Sequence, residues 1–239
     1  MGLFQRFKKH DVLDDIDKHS WFHVFSYCLG KMVIIQQYAS DHIVKGRGWN
    51  VDFSTGMISF GEDCYPVQFI GSESNQSNTW NWGWNNVNHF DESILVLANE
   101  IHHLGKEWNL DALSYAQFKM NEVYHGHNLA MVACGLSQNH YFYYRGPHPS
   151  GAVLMAIEYD EKISMNAKEF INTTMQCIQN YHIDHKIFVE ALLEWNHTSY
   201  TWKKDQCIAH FKHDVILTFE KVEEAYRIIE ISAKKIEGE

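Results

Sequence analysis

Three tryptophans alternate in the run Thr79-Trp80-Asn81-Trp82-Gly83-Trp84-Asn85-Asn86. Successive side chains of a β-strand point to opposite faces, so this spacing predicts a strand with Trp80, Trp82 and Trp84 on one face. Asn81, Gly83 and Asn85 fall on the other. Three indoles on one face read as core beneath neighbouring helices, each buried N–H needing a partner. The competing reading is an exposed platform on which bases, sugars or a partner's side chains stack. Gly83, opposite the indoles, would let another backbone or a ligand approach. Asn81, Asn85 and Asn86 are then the candidate binding residues of that site.

The surrounding pattern is mixed. Trp21, Phe25, Cys28, Met32 and Ile35 recur at three- and four-residue spacing within a helix expected from about Asp11 to Tyr38. Val51–Phe53 and Met57–Phe60 alternate around Ser54-Thr55-Gly56, a hairpin signal. Strands follow over Tyr65–Ile70 and Asn78–Asn85, with a polar loop, Gly71–Ser77, between them. Asp91 reads as the N-cap of a helix ending at Gly105. Ser114-x-x-Gln117 reads as a capping box opening a helical region that reaches Gly135, with a break or kink at Gly126. Residues Tyr141–Arg145 and Ala152–Tyr159 pair around Gly146-Pro147. After the charged stretch Asp160-Glu161-Lys162 come two helices, the second capped by Asp184, and three closing strands around Cys207–Phe211, Val215–Phe219 and Tyr226–Ile228. The expected class is α+β, with antiparallel sheets packed against amphipathic helices. Two units are expected, residues 1–160 and 161–239, each of helix plus antiparallel sheet.

The motif Trp80-x-Trp82-x-Trp84-Asn85 leads into an amphipathic helix. Gly105, the stretch Asn109 to Leu113, Leu129-Ala130-x-x-Ala133, an aromatic strand and Gly-Pro follow. Over Gly48 to Glu158 this resembles an uncharacterised, mainly bacterial family known only as a domain of unknown function. Asp184-His185-Lys186 opening a helix before the closing strands is similar to a second module of longer members. The resemblance implies a soluble bacterial protein and supplies no catalytic residues.

Charge and composition narrow the function classes. The net charge of -10 over 239 residues argues against general nucleic-acid binding, which needs clustered Lys and Arg. It suits solubility and is compatible with a basic protein partner, as in an immunity-like role. The window Trp21–Ile35, interrupted by His23, Ser26 and Lys31, is too short and polar to span a bilayer. The N-terminus lacks a secretory h-region, and Arg6 stands where myristoylation needs Ser or Thr. The 5 cysteines are scattered without a C-x-x-C pair, which fits reduced thiols in a cytoplasmic protein. Cys64 and Cys134 are the candidate nucleophiles, against the reading of inert small hydrophobes.

The 16 histidines raise a metal reading. Glu-x-x-His occurs at Glu100/His103, Glu122/His125 and Glu194/His197, a spacing that shares one helix face. Chance alone supplies about one such match in this composition. Glu122/His125, with His127 beside it, is the pair with apolar neighbours on its face. It is the candidate centre of a metal-dependent or acid–base enzyme, although a zinc site would need a further ligand. Walker, G-x-G-x-x-G, G-x-S-x-G and H-E-x-x-H motifs are absent. The leading expectation is a non-catalytic binding protein without metal or cofactor. The enzyme centred on Glu122, His125 and His127 is the alternative.

Overall fold

The computed structural model describes residues 11–234. The N-terminal segment read above for targeting signals lies outside them. Six helices and two antiparallel sheets make an α+β fold. No helix among the described residues is long and apolar enough to cross a membrane.

The expected long first helix divides. A 3-10 turn, Val12–Asp14, is capped by Asp11, whose side chain accepts from the Leu13 N–H. Helix α1 then runs over Trp21–Ala39 and ends in a π-helical turn, Ser40–Val44. Its buried residues exceed the one expected stripe: Val24, Ser26, Leu29, Gly30 and Ala39 join Trp21, Phe25, Cys28, Met32 and Ile35. A helix apolar around most of its circumference is covered from several sides. Here α1 packs on both α4 (Gly126–Leu136) and α6 (His185–Trp195).

The first sheet begins with β1 (Trp49–Asp52), β2 (Met57–Phe60), β3 (Asp63–Ser74) and β4 (Thr79–Trp82). Strand β3 extends into the segment expected as loop, as far as Ser74, and the expected turn follows. It pairs with β2 at its start, and with β4 and β7 (Gly151–Glu158) along its later half. A bulge between Phe69 and Gly71 inserts Ile70. Phe69 joins a small cluster with Ile94 and Leu95, and Ile70 enters the main core. Strand β6 (Tyr141–His148) completes this edge by pairing with β7. Its turn lies after His148, so Gly146 and Pro147 stand inside the strand and not at the bend.

Downstream of β4 the expectations need correction. The strand stops at Trp82, and Gly83–Asn85 form a 3-10 turn closed by Asn86 at φ 42. Trp84 therefore leaves the alternation. Asp91 caps a short 3-10 turn, Glu92–Ile94, and α2 begins only at Val96 and continues to Glu107. Gly105 lies inside α2 because a Cβ there would sit 2.7 Å from Leu113. Ser114 ends a one-turn α3 (Asp111–Ser114) and opens nothing. Gln117–Lys119 is strand β5, pairing with β4. The helix starts at Gly126, which is its first residue and not a kink.

Segment 159–166 leads into α5 (Ala167–Asn180), whose cap Asn166 and Glu169 form the reciprocal capping box. After α6 comes a four-stranded sheet of β8 (Tyr200–Lys203), β9 (Gln206–His210), β10 (Asp214–Val222) and β11 (Ala225–Lys234). The sequence pattern yields three of these strands. The added β8 turns into β9 through Lys204, a left-handed residue at φ 57. One apolar cluster runs from Trp21 to Phe219 through α1. We propose that residues 1–160 and 161–239 are packing units that share α1 and do not fold separately.

Trp80 and Trp82 are fully buried, and their rings meet edge to face at 5.2 Å. The Trp82 indole N–H donates to the Ala112 carbonyl at 2.9 Å. Truncation leaves an indole-sized void and an unpaired carbonyl. Trp82→Ala should lose about 3–5 kcal/mol of stability, measured by urea unfolding. An unchanged urea midpoint would restore the stacking-platform reading.

Candidate functional site

The expected site residues fall into separate places. Asn81 and Asn85 meet, the Asn85 amide donating to Asn81 Oδ1 at 2.9 Å. Asn86 both donates to the Phe90 carbonyl and accepts from the Phe90 N–H, holding the 86–90 turn. The space allowed by Gly83 is filled by the chain itself: a Cβ there would stand 2.6 Å from the Phe69 carbonyl oxygen. Trp84 stacks flat on His102, with centroids 3.6 Å apart.

Glu122 and His125 do not share a helix face, because both precede α4. Glu122 is exposed, His125 is the N-cap, and His127 lies in the first turn. The histidine rings stand 6.1 Å apart, and His127 Nδ1 is 3.0 Å from the Tyr143 hydroxyl. Desolvation lowers the basicity of both rings against a smaller opposing pull from Glu73. Among the described residues no group of three His, Cys, Asp or Glu side chains is placed to hold a metal ion.

The carboxylate at the start of α4 is instead Glu73 of β3. It is 8% exposed and shares the sheet face of Trp80, its cross-strand partner. Its Oε1 accepts from the Gly126 N–H at 2.9 Å, and its Oε2 accepts from Arg145 Nε at 2.8 Å and Nη2 at 2.7 Å. A buried carboxylate is tolerated here because an arginine fork and the positive end of a helix both meet it. The pair ties β3, β6 and α4 together. Glu73 lies in the segment read as loop, so no sequence signal marked it.

The two candidate cysteines differ in their surroundings. Cys134 is buried and desolvation raises its thiol, while Cys64 is exposed. Asp184 and His185 are buried, and Asp184 is the helix cap that the sequence indicates. Asp184 Oδ1 caps α6 through the Lys186 and Ile187 N–H groups, and Oδ2 accepts from the Tyr226 N–H. His185 Nδ1 accepts from the Ile228 N–H at 2.9 Å, so its proton resides on Nε2. This clamp joins α6 to β11.

A cleft of about 950 Å³ opens beside α1. Tyr27 and Lys31 of α1 line it, with Gln138 and His140 before β6, the 159–164 segment, and Glu194–His197 at the end of α6. Asn196 holds the far wall: its side chain accepts from the Met165 N–H and donates to the Met165 carbonyl. Two lining carboxylates have internal duties. Asp11 accepts from the Tyr27 hydroxyl, and Glu194 accepts from the Val12 N–H and the Tyr200 hydroxyl. Asp160 and Glu161 are exposed on the rim and have no ion-pair partner among the described residues. The sequence signal for this site was Lys31, a charge within an otherwise buried helical stripe. A smaller recess of about 290 Å³ is occupied at one side by Lys186, whose ammonium lies over the Trp202 and Tyr226 rings at 5.0 and 5.2 Å.

Residues 23–159 match a family described as "Family of unknown function (DUF6882)". The chain belongs to this family. The matched region takes in α1 as well as the first sheet, and so starts earlier than the Gly48 boundary of the motif resemblance. Among curated proteins and among solved structures, the comparisons find no match. The DUF6882 region contributes Tyr27, Lys31, Gln138, His140 and Tyr159 to the cleft, while its other wall comes from beyond residue 159.

Burial, with Arg227 nearby, pushes the His185 pKa from 6.5 down to about 4. The unfolded chain therefore binds the proton more tightly. The stabilising contribution is complete above pH 6.5 and is lost as pH falls toward 4, by roughly 3 kcal/mol. His185→Asn, which keeps an acceptor for the Ile228 N–H, should flatten this part of the pH–stability curve. Urea unfolding of both proteins across pH 4–7 checks it, and equal slopes would contradict it.

Proposed function

We propose that the protein is a non-catalytic binding protein and that the cleft between α1, α6 and the 159–164 segment is its site, with a basic polypeptide segment as partner. The observation that carries this reading is the pair of unpaired rim carboxylates, Asp160 and Glu161, beside the aromatic walls of Tyr159 and Trp195. Carboxylates with no internal partner keep their charge available for a ligand. Aromatic faces flanking them suit the stems and cationic heads of Lys and Arg. The net charge of -10 adds long-range attraction for such a partner. Lys162 also lines the cleft, so its field is mixed and the partner's charges must register with the two acids. An immunity-like role is one biological form of this reading.

Titration of a fluorescent Lys/Arg-rich peptide, followed by anisotropy at low and moderate salt, tests it. Saturable, salt-sensitive binding is expected. The double reversal Asp160→Lys with Glu161→Lys should weaken it about tenfold or more, equivalent to ~1.4 kcal/mol. Equal binding by both proteins, or none by either, would refute the proposal.

A further inference from the structure

Lys31 is an unusual residue in this fold. It sits in the middle of α1, a helix covered by α4 and α6, and faces the large cleft. Among the described residues no carboxylate lies within ion-pair distance of its ammonium. Its one close electrostatic contact is the Tyr27 ring, one helical turn away, with the nitrogen 5.4 Å from the ring centroid. Asp11 is the acid that acts on it electrostatically, but Asp11 Oδ1 is already accepting from the Tyr27 hydroxyl and the Leu13 N–H. The other groups acting on it are thiols. Burial holds Cys28 near pKa 12 and raises Cys134, so both stay neutral and supply no counter-charge.

Withdrawal from water without a counter-ion penalises the ammonium form, and the Lys31 pKa is lowered accordingly. A lowered pKa raises the share of neutral amine, the nucleophilic form, above that of a surface lysine. The amine also has an approach, since a cleft of about 950 Å³ admits molecules of drug-like size.

We propose that Lys31 is an imine-forming amine, and that the cleft captures small aldehydes or ketones reversibly and covalently through it. The Lys31 nitrogen lone pair attacks the carbonyl carbon as the carbon–oxygen π bond breaks. A proton moves from nitrogen to oxygen, giving a carbinolamine. The hydroxyl then departs with a proton as water, and the carbon–nitrogen double bond forms. No oxidant or reductant is consumed. The Tyr27 hydroxyl stays protonated, because desolvation and the neighbouring Asp11 raise its pKa strongly. That proton is already donated to Asp11 Oδ1, so the hydroxyl fixes the ring beneath the amine and takes no part in the step. The rim acids Asp160 and Glu161 favour neutral or cationic carbonyl compounds over anionic ones.

The inference rests on the binding-site reading only in requiring an open cleft. Uncharged probes separate the two, since they need no basic partner to enter. The intact protein is incubated at pH 7 with limiting benzaldehyde and sodium cyanoborohydride, which reduces the imine to a stable benzylamine. Intact mass and peptide mapping then locate the label. One benzyl group per chain is expected, at Lys31, at a rate above the mean of the other lysines. 4-Carboxybenzaldehyde should label it more slowly. Lys31→Arg, with a melting temperature matching the natural protein, should lose the fast label. Label spread over surface lysines with Lys31 unmodified would overturn the proposal. So would a Lys31 labelling rate whose pH midpoint equals that of the surface lysines. Fast labelling of Lys31 together with failed peptide titration would leave this inference standing and sink the basic-partner reading.

Discussion

Two glycines set the distance between α1 and the helices on either side of it. A Cβ at Gly30 would stand 2.9 Å from Phe188 and 3.2 Å from Leu192 of α6. A Cβ at Gly135 of α4 would stand 2.6 Å from the Cys28 Cβ of α1. Each contact is too close for an alanine without movement, so α1 offers its bare backbone to the Phe188 and Leu192 side chains, and α4 offers its own to Cys28. This contact spends two faces of α1 on apolar packing and joins the first sheet's helix α4 to the second sheet's helix α6. The strip carrying Tyr27 and Lys31 is what remains for the cleft. The cleft therefore exists because α1 cannot be covered on every side by helices held this tightly.

The Glu73 pair fixes the other end of α4. A carboxylate buried in the sheet face would be costly alone, and a lone buried ion usually takes up a proton instead. Here the chain approaches it through glycines. Gly126 brings its own N–H to 2.9 Å, and any Cβ at that position would collide with Oε1. Gly151 lets β7 close on the Glu73 carbonyl from the opposite edge. The result sets the helix start where an acid, an arginine and the helix dipole balance one another. It also explains why an N-terminus well suited to anions holds an internal one.

The sequence carried the outline of this fold because its signals are local. Two-residue alternation marked Trp80 and Trp82, and the expected cap residues Asp91 and Asp184 both act as caps. Failures occur where tertiary contacts override a local rule. Ser114-x-x-Gln117 satisfies a capping pattern, yet Gln117 pairs with Asn81 in β4 and becomes strand. Gly71 reads as a breaker, yet only a glycine fits against the Trp80 ring, where a Cβ would lie 2.4 Å from it. Gly105 reads as a terminator and is a packing contact. The candidate histidines were found, but not their partners. Glu73, Tyr143 and Arg145 come from strands distant in sequence, and no spacing rule connects them to His125 and His127.

Groups that break local rules do not all mark sites, and their surroundings separate them. The Trp80 and Trp84 indole N–H groups are buried without a hydrogen-bond partner, each at a cost of about 1–3 kcal/mol. Trp80 is sealed between Gly71 of β3 and Phe118 of β5, and Trp84, half-buried, is stacked against His102. These are packing costs offset by large apolar area. Thr174 of α5, also without a partner, is fully buried. Lys31 is different in both respects. Its unmet demand is for a charge or a bond and not for a single hydrogen-bond acceptor, and it opens onto the cleft of about 950 Å³. An apolar residue at that position would satisfy the helix packing at lower cost. The amine is therefore better explained by what enters the cleft than by what holds α1 in place.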